Sequence, residues 1–92
     1  MTPKETLSLL RDEIDAIDRE LVALFERRMT LSSRIGEIKA AAQIAVLDES
    51  RERQVIENAL RASSPANHAA VTALMRNIME LSKLRQSVIA AN

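Results

Sequence analysis

A single run of apolar residues, spaced three and four positions apart, dominates the first half of this chain. The run lasts about 40 residues, is free of proline after Pro3 and contains one glycine, Gly36. Residues at that spacing share one face of an α-helix, and such a helix would be roughly 55–60 Å long. A compact chain of 92 residues has a radius of only about 13 Å. We therefore expect the helix to bury its apolar seam against a second copy of the chain. The seam residues are Leu7, Leu10, Ile14, Ile17, Leu21, Leu24, Leu31, Ile35, Ile38 and Ala42.

Two further helices account for most of the remaining sequence. Thr2 and Glu5 form a capping box at the start of the first helix. The segment AAQIAVL connects it to a second helix, DESRERQVIENALRAS, for which Asp48 is the N-cap. After the break SSPANHAA, a third helix is predicted from about Ala66 to Ile89. The fold class is therefore all-α, with three helices per chain and a very long first helix.

Composition argues against several classes of function. Thirteen Lys and Arg balance thirteen Asp and Glu, and a neutral chain is a poor nucleic-acid or membrane-surface binder. Phe25 is the only aromatic residue, so the chain lacks the set of aromatic side chains on which successive bases stack. The chain has no cysteine and therefore no thiol nucleophile. Its one histidine, His68, has no other His or Cys with which to form a metal site. No signal segment or membrane span is visible, so a cytoplasmic protein is expected.

A charged residue, Arg28, interrupts the apolar seam. A buried guanidinium has to meet an anion, because leaving it unpaired is costly. Lys39 follows eleven residues later, close to three helical turns, so both side chains point to one face about 16 Å apart. The two can converge on one small anionic ligand. Alternatively, Arg28 fixes the register of a helix pair or contacts a partner's glutamate, and Lys39 is solvated.

The other two helices also carry polar residues on their inward faces. Asp48, Arg51 and Glu52 begin the face that continues as the apolar side of helix 2. In helix 3, Ser82 and Gln86 stand where the apolar stripe would continue. A capping cluster and an ordinary helix end are the alternatives, but together these patches predict one basic pocket. The other inner residues of helix 3 are predicted to be Val71, Leu74, Met75, Ile78, Leu81 and Ile89, with Lys83 and Arg85 pointing outward.

The order and spacing of these residues resemble the all-helical class of chorismate mutases. The resemblance lies in LRDEIDAIDRELVALFERRMTLSSRIGEIK, VLDESRERQVIE and IMELSKLRQ. These contain, in order, L-R-x-x-I-D-x-I-D, R-R, I-G-x-x-K, D-x-x-R-E and S-x-x-x-Q, which are specific in combination and not singly. The match covers nearly the whole chain and implies one chorismate mutase domain over residues 1–92. It also implies rearrangement of chorismate to prephenate, without a metal or cofactor, in phenylalanine and tyrosine biosynthesis.

The resemblance further implies an intertwined homodimer with two shared active sites. Arg11 reaches the site of the other subunit, while Arg28 and Arg51 serve their own. Lys39 and Gln86 match donors to the substrate's ether oxygen. The implied hydroxyl-binding groups are Glu52 and the main chain near Asp48, and Ser82 matches a residue at the carboxylate end.

Helix geometry favours the exchange of Arg11 between subunits. Arg11 lies 17 residues before Arg28, roughly 25 Å along the helix and about 100° around it. The two cannot grip the same small ligand within one chain. An antiparallel partner crossing near residue 22 would place its Arg11 between Arg28 and Lys39.

Two other functions fit the same sequence. An isochorismate-pyruvate lyase uses the same scaffold, but we expect an apolar residue at the position of Glu52 in such lyases. A non-catalytic helical dimerisation or regulatory module would form dimers without turning over chorismate. The presence of every polar group that the rearrangement needs favours the mutase.

Overall fold

The computed structural model describes residues 1–91, and every regular element in that range is helical. Helix α1 spans Pro3–Ala42, and α2 spans Glu49–Arg61. A short 3-10 helix, Pro65–Asn67, leads into α3 at His68–Ala91. The all-α class and the very long first helix are confirmed. The predicted start of the third helix at Ala66 falls within the 3-10 turn.

Both predicted N-caps are present. The main-chain N–H of Glu5 donates to Thr2 Oγ1 at 3.1 Å, and the Thr2 hydroxyl donates to the Glu5 carboxylate at 2.9 Å. At the start of α2, Asp48 Oδ1 accepts from the main-chain N–H of Arg51 at 3.0 Å. These contacts satisfy N–H groups that a helix end leaves without partners, so short local sequences define where α1 and α2 begin.

The described chain forms two compact units, Met1–Thr30 and a second that begins at Leu31. In the first unit the apolar seam of α1 is uncovered. Ile14, Ile17 and Leu21 each keep 54% of their surface exposed. A contiguous exposed apolar row of this kind marks an interaction surface.

In the second unit α3 packs against α2 and contacts the C-terminal part of α1. Met79 is the buried apolar residue of α3, and Ser82 and Gln86 are buried beside it. The prediction that Leu74 and Leu81 point inward is wrong, because they are 52% and 46% exposed. Helix α3 is rotated so that Met79 and Ser82 face its neighbours instead. The other predicted inner residues, Val71, Met75, Ile78 and Ile89, are half-buried.

The close approach of α1 and α3 occurs at the only glycine. A Cβ added to Gly36 would lie 3.1 Å from both Cα and Cγ of Gln86. Ordinary carbon contacts need about 3.5 Å or more. Gly36 therefore allows α3 to bring Gln86 against α1, a contact that a larger residue would push apart.

Gly36→Ala is expected to lower the free energy of unfolding by about 1 kcal/mol. Alanine favours a helix by about 1 kcal/mol over glycine, but overpacking a tight contact costs about 1–3 kcal/mol. The new methyl group meets Gln86 Cα, which belongs to the backbone of α3 and cannot move alone. Denaturant unfolding followed by circular dichroism, at fixed protein concentration, measures the change. Glu37→Ala, at an exposed neighbouring position, is the control. If Gly36→Ala were more stable than the wild type, the contact between Gly36 and Gln86 would not be tightly packed.

None of the helices described over residues 1–91 combines the length and apolar character needed to cross a membrane.

Candidate active site

Gln86, Ser82 and Ser32 form a buried polar cluster where α3 meets α1. Their exposed fractions are only 8%, 7% and 4%. Gln86 Nε2 donates to Ser32 Oγ at 3.0 Å, and the Ser32 hydroxyl lies 3.4 Å from the main-chain oxygen of Ser82. The sequence predicted Ser82 and Gln86 to interrupt the inner stripe of α3, and the structure buries both.

One atom of this cluster lacks a partner. Gln86 Oε1 is buried without a hydrogen bond to any described residue. A buried acceptor in that condition typically costs about 1–3 kcal/mol. Native proteins rarely tolerate such atoms except where a ligand, water or reaction uses them. Gln86 is therefore the strongest single indication of a site in this unit.

A second cluster joins α2 to α3 through charge. Lys83 Nζ lies 2.9 Å from Glu52 Oε2 and 2.7 Å from Glu80 Oε1. The side chains of Lys83 and Glu52 are about one quarter and one third exposed, at 26% and 30%, whereas Glu80 is 70% exposed. Hydrogen bonds to Glu80 first and Glu52 second raise the pKa of Lys83 above its usual value. The ammonium thus stays charged at neutral pH and holds one oxygen of Glu52.

The prediction that Lys83 points outward is therefore wrong. Lysine carries its charge at the end of a long flexible stem, so it can reach sideways to a neighbouring helix. Arg85 is exposed, as predicted, although its guanidinium contacts Ser33 Oγ at 3.3 Å.

Lys39 is half-buried near the end of α1 and contacts the following connection. Its Nζ donates to the main-chain oxygen of Val46 at 2.9 Å. An ammonium group has three donors, so two remain for other acceptors. This position leaves Lys39 able to bind an anionic or ether oxygen while it steadies the segment that leads to α2.

The first turn of α2 holds the remaining predicted residues of this unit. Asp48 caps the helix, and its neighbour Arg51 is exposed. Arg51 Nη1 donates to Gln54 Oε1 at 2.8 Å. Arg51 is the neighbour of Glu52 in sequence. Because its side chain contacts Gln54, Arg51 would have to break that hydrogen bond to contact a substrate.

The other two predicted arginines belong to the first unit. Arg28 is half-buried and Arg11 is exposed. An exposed guanidinium is free to bind an acceptor from outside its own chain, because little of it is covered. The contributions predicted for both residues remain hypotheses.

A groove of about 630 Å³ lies along α2 and α3. Glu52 is the predicted site residue that lines it, and Met79 forms part of its floor. The other lining residues are Glu49, Arg53, Ile56, Glu57, Arg76 and Glu80. With four glutamates and two arginines, this groove is acidic and does not match the predicted basic pocket.

Sequence reasoning missed Ser32 in these clusters and predicted the wrong orientation for Lys83. Ser32 stands four residues before Gly36 and seven before Lys39, a spacing that places all three on one face of α1. That spacing was the available signal for Ser32. Lys83 had none, because helix periodicity describes where a side chain starts and not how far it reaches.

The described site is rich in hydrogen-bond donors and charged groups on inward helix faces. Within residues 1–91, no group of three or more His, Cys, Asp or Glu side chains could hold a metal ion. The clusters can orient a polar ligand and stabilise negative charge on it. Fold and site together define a class, that of small helical proteins whose packed helices carry preorganised polar side chains.

Comparison with known proteins defines the family. The profile of the family described as chorismate mutase type II matches residues 10–87, and the chain belongs to that family. A bifunctional chorismate mutase/prephenate dehydratase of Aquifex aeolicus is 46% identical over 57 residues, 62% of this chain and 16% of that protein. The bifunctional protein of the same description from Escherichia coli K12 is 32% identical over 91 residues, 97% of this chain and 24% of that protein.

A shorter relative is an intracellular chorismate mutase of Mycobacterium tuberculosis. It is 42% identical over 55 residues, which is 60% of this chain and 52% of that protein. The chain thus spans about half of the mycobacterial relative and 24% or less of the two bifunctional ones. No solved structure matches the chain at a significant level.

Proposed function

We propose that this chain is a chorismate mutase, which converts chorismate to prephenate as a homodimer. The rearrangement is intramolecular: the ether C–O bond breaks while a new C–C bond forms. No proton, electron or leaving group goes to the protein. The observation that carries the proposal is the buried Gln86 amide with an unsatisfied oxygen, in a chain of this family.

Lys39 and Gln86 stabilise the charge that develops during the reaction. The ether oxygen becomes more negative as its bond to carbon lengthens. A cationic ammonium and a neutral amide N–H can both donate to it. Each preorganised donor of this kind is typically worth about 10²–10³ in rate. The close packing of the Gln86 stem against Gly36 and the contact of Lys39 with Val46 both limit reorganisation once the substrate is bound.

The arginines hold the two carboxylates of chorismate. Arg28 and Arg11 of the partner subunit grip them, with Arg51 in support and Ser82 at the carboxylate end. A guanidinium presents two parallel N–H donors to a carboxylate and so fixes its orientation. Holding chorismate in its compact reactive conformation removes an orientational cost from the reaction.

Glu52 receives the ring hydroxyl of chorismate, next to the main chain near Asp48. Lys83 occupies one carboxylate oxygen, Oε2, and the other oxygen remains available to accept. Lys83 also offsets the negative charge of Glu52, which would otherwise repel a dianionic ligand. This pairing favours the mutase over the isochorismate-pyruvate lyase, for which an apolar residue is expected at this position.

A second copy of the chain covers the seam of the first unit. Leu7, Leu10 and Leu24 are 50%, 50% and 56% exposed, in line with the isoleucines between them. Because these side chains are already about half covered, burying the rest contributes on the order of 1 kcal/mol per large apolar side chain. A dimer formed along this row would bring Arg11 of each chain to the other. A cytoplasmic location is proposed by analogy with the mycobacterial relative.

The direct test is the loss of chorismate absorbance on adding purified protein, with prephenate identified as the product. Isochorismate is assayed in parallel. Enzyme-dependent formation of prephenate supports the proposal. Release of pyruvate from isochorismate alone would instead support the lyase. A folded helical dimer that is inactive with both substrates would support a dimerisation or regulatory module.

Gln86→Glu is expected to make activity depend on acidic pH. An ionised carboxylate only accepts hydrogen bonds, whereas a protonated one can donate to the ether oxygen. Burial raises the pKa of a carboxyl above its ordinary value of about 4.3. Activity should therefore be highest below that raised pKa and fall as pH rises through it. The kcat–pH profile measures this, with Asn77→Asp at an exposed position of α3 as the control; an unchanged profile would show that Gln86 does not touch the ether oxygen.

A further inference from the structure

Ser32 is the nearest polar contact of the Gln86 amide. Both side chains are buried, and they come from helices that meet at Gly36. Gln86 Nε2 donates to Ser32 Oγ at 3.0 Å, while Gln86 Oε1 has no partner among the described residues. The amide is therefore held at one end and unsatisfied at the other.

The stem of Gln86 has little freedom to move. Its Cα, Cβ and Cγ lie 3.1–3.3 Å from the place where a Cβ on Gly36 would stand. This close packing against α1 leaves the terminal amide as the part of the side chain that can turn. The two ends of a primary amide are nearly equal in size, so a half-turn exchanges oxygen and nitrogen with little displacement of neighbours.

A serine hydroxyl is suited to either orientation because it both donates and accepts. Ser32 now accepts from Gln86 Nε2, and its own hydroxyl has only a long contact, 3.4 Å, to the oxygen of Ser82. After a half-turn of the amide, the Ser32 hydroxyl would donate to Gln86 Oε1. Both hydrogens of Nε2 would then be available to an acceptor on a ligand.

We propose that Ser32 is a positioning residue that turns the Gln86 amide nitrogen toward the ether oxygen of the bound substrate. Substrate binding satisfies the amide at both ends, with Ser32 donating to Oε1 and Nε2 donating to the substrate. The proposal rests on the proposed function and adds a residue that none of the spaced motifs of the family resemblance includes. Ser32 acts only through Gln86 and does not itself touch the substrate.

Four variants test this role: Ser32→Ala, Ser33→Ala, Gln86→Ala and the double variant Ser32→Ala/Gln86→Ala. Ser32→Ala should lower kcat about tenfold, less than the loss of a preorganised donor itself, and leave KM within about twofold. Ser33→Ala is the matched control, because its hydroxyl contacts Arg85 and not Gln86; it should keep wild-type kinetics. In the Gln86→Ala background, removal of Ser32 should cause no further loss.

Nuclear magnetic resonance of the Gln86 side-chain NH₂ group supplies a readout that does not need turnover. Without substrate, Ser32→Ala should shift these resonances and speed their hydrogen exchange, while Ser33→Ala should not. Unchanged resonances and kcat in Ser32→Ala would overturn the positioning role. If Ser32→Ala lowered kcat equally in the wild-type and Gln86→Ala backgrounds, Ser32 would have only a packing role. Wild-type protein that does not turn over chorismate would instead overturn the proposed function, and with it the role of Ser32 in catalysis.

Discussion

Lys39→Ala is expected to lower kcat for chorismate by about 10²–10³ while the helical dimer persists. The ammonium is the cationic donor assigned to the ether oxygen, so its effect grows as charge develops in the transition state. Its loss should therefore reduce kcat more than it raises KM. Steady-state kinetics measure both constants, and circular dichroism with size-exclusion chromatography measures the fold and the dimer.

Two controls separate catalysis from structure at this position. Arg34→Ala removes an exposed cation from the same helix and should leave activity near the wild-type value. Lys39→Gln keeps a donor near the Val46 oxygen, which Lys39 contacts at 2.9 Å, but removes the charge. Full activity in Lys39→Gln together with unfolding of Lys39→Ala would assign Lys39 to the connection between α1 and α2 and not to the reaction.

Mixed dimers of Arg11→Ala and Arg28→Ala chains are expected to recover about half of the wild-type activity per dimer. In a symmetric dimer with exchanged arginines, one site combines the intact Arg28 of the first chain with the intact Arg11 of the second. The other site lacks both. Each homodimer of a single variant should be almost inactive, because every one of its sites lacks an arginine.

Co-expression with two different affinity tags, followed by tandem purification, isolates the mixed dimer. If Arg11 served its own chain, neither site of the mixed dimer would be complete and it would stay inactive. That outcome would overturn the exchange while leaving the proposed reaction untouched. Arg53→Ala mixed with Arg28→Ala is the control, since Arg53 lies on α2 outside the predicted contacts; it should give about half activity whichever chain Arg11 serves.

Lys83 offsets negative charge on the facing sides of α2 and α3. Glu52 is held by Lys83 and so does not stand as an unpaired negative charge among the basic residues. Glu80 contacts the same ammonium from the exposed side. Glu52 and Glu80 both also line the acidic groove along α2 and α3. The ammonium of Lys83 therefore offsets part of the negative charge that lines this groove.

The sequence alone determined the three helices and where the first two begin. Apolar residues spaced three and four apart identify a helix because residues at that spacing always lie next to each other on one helix face. This holds whatever packs against the helix. Thr2 and Asp48 cap nearby N–H groups through contacts that span three residues, so these too needed no tertiary information. The same reasoning predicted that Ser82 and Gln86 occupy the inner stripe of α3.

Only the tertiary structure decided which face of each helix turns toward which neighbour. In the second unit, α1 presents Ser32 and Gly36 to α3 and leaves Ile35 and Ile38, 47% and 65% exposed, for another surface. Periodicity places these two stripes side by side but does not choose between them, because the choice depends on the shape of the opposing helix. The pairing of Lys83 with Glu52 was hidden for a related reason. A long side chain reaches across helices, so its partner is set by the distance between them and not by its own position in the sequence.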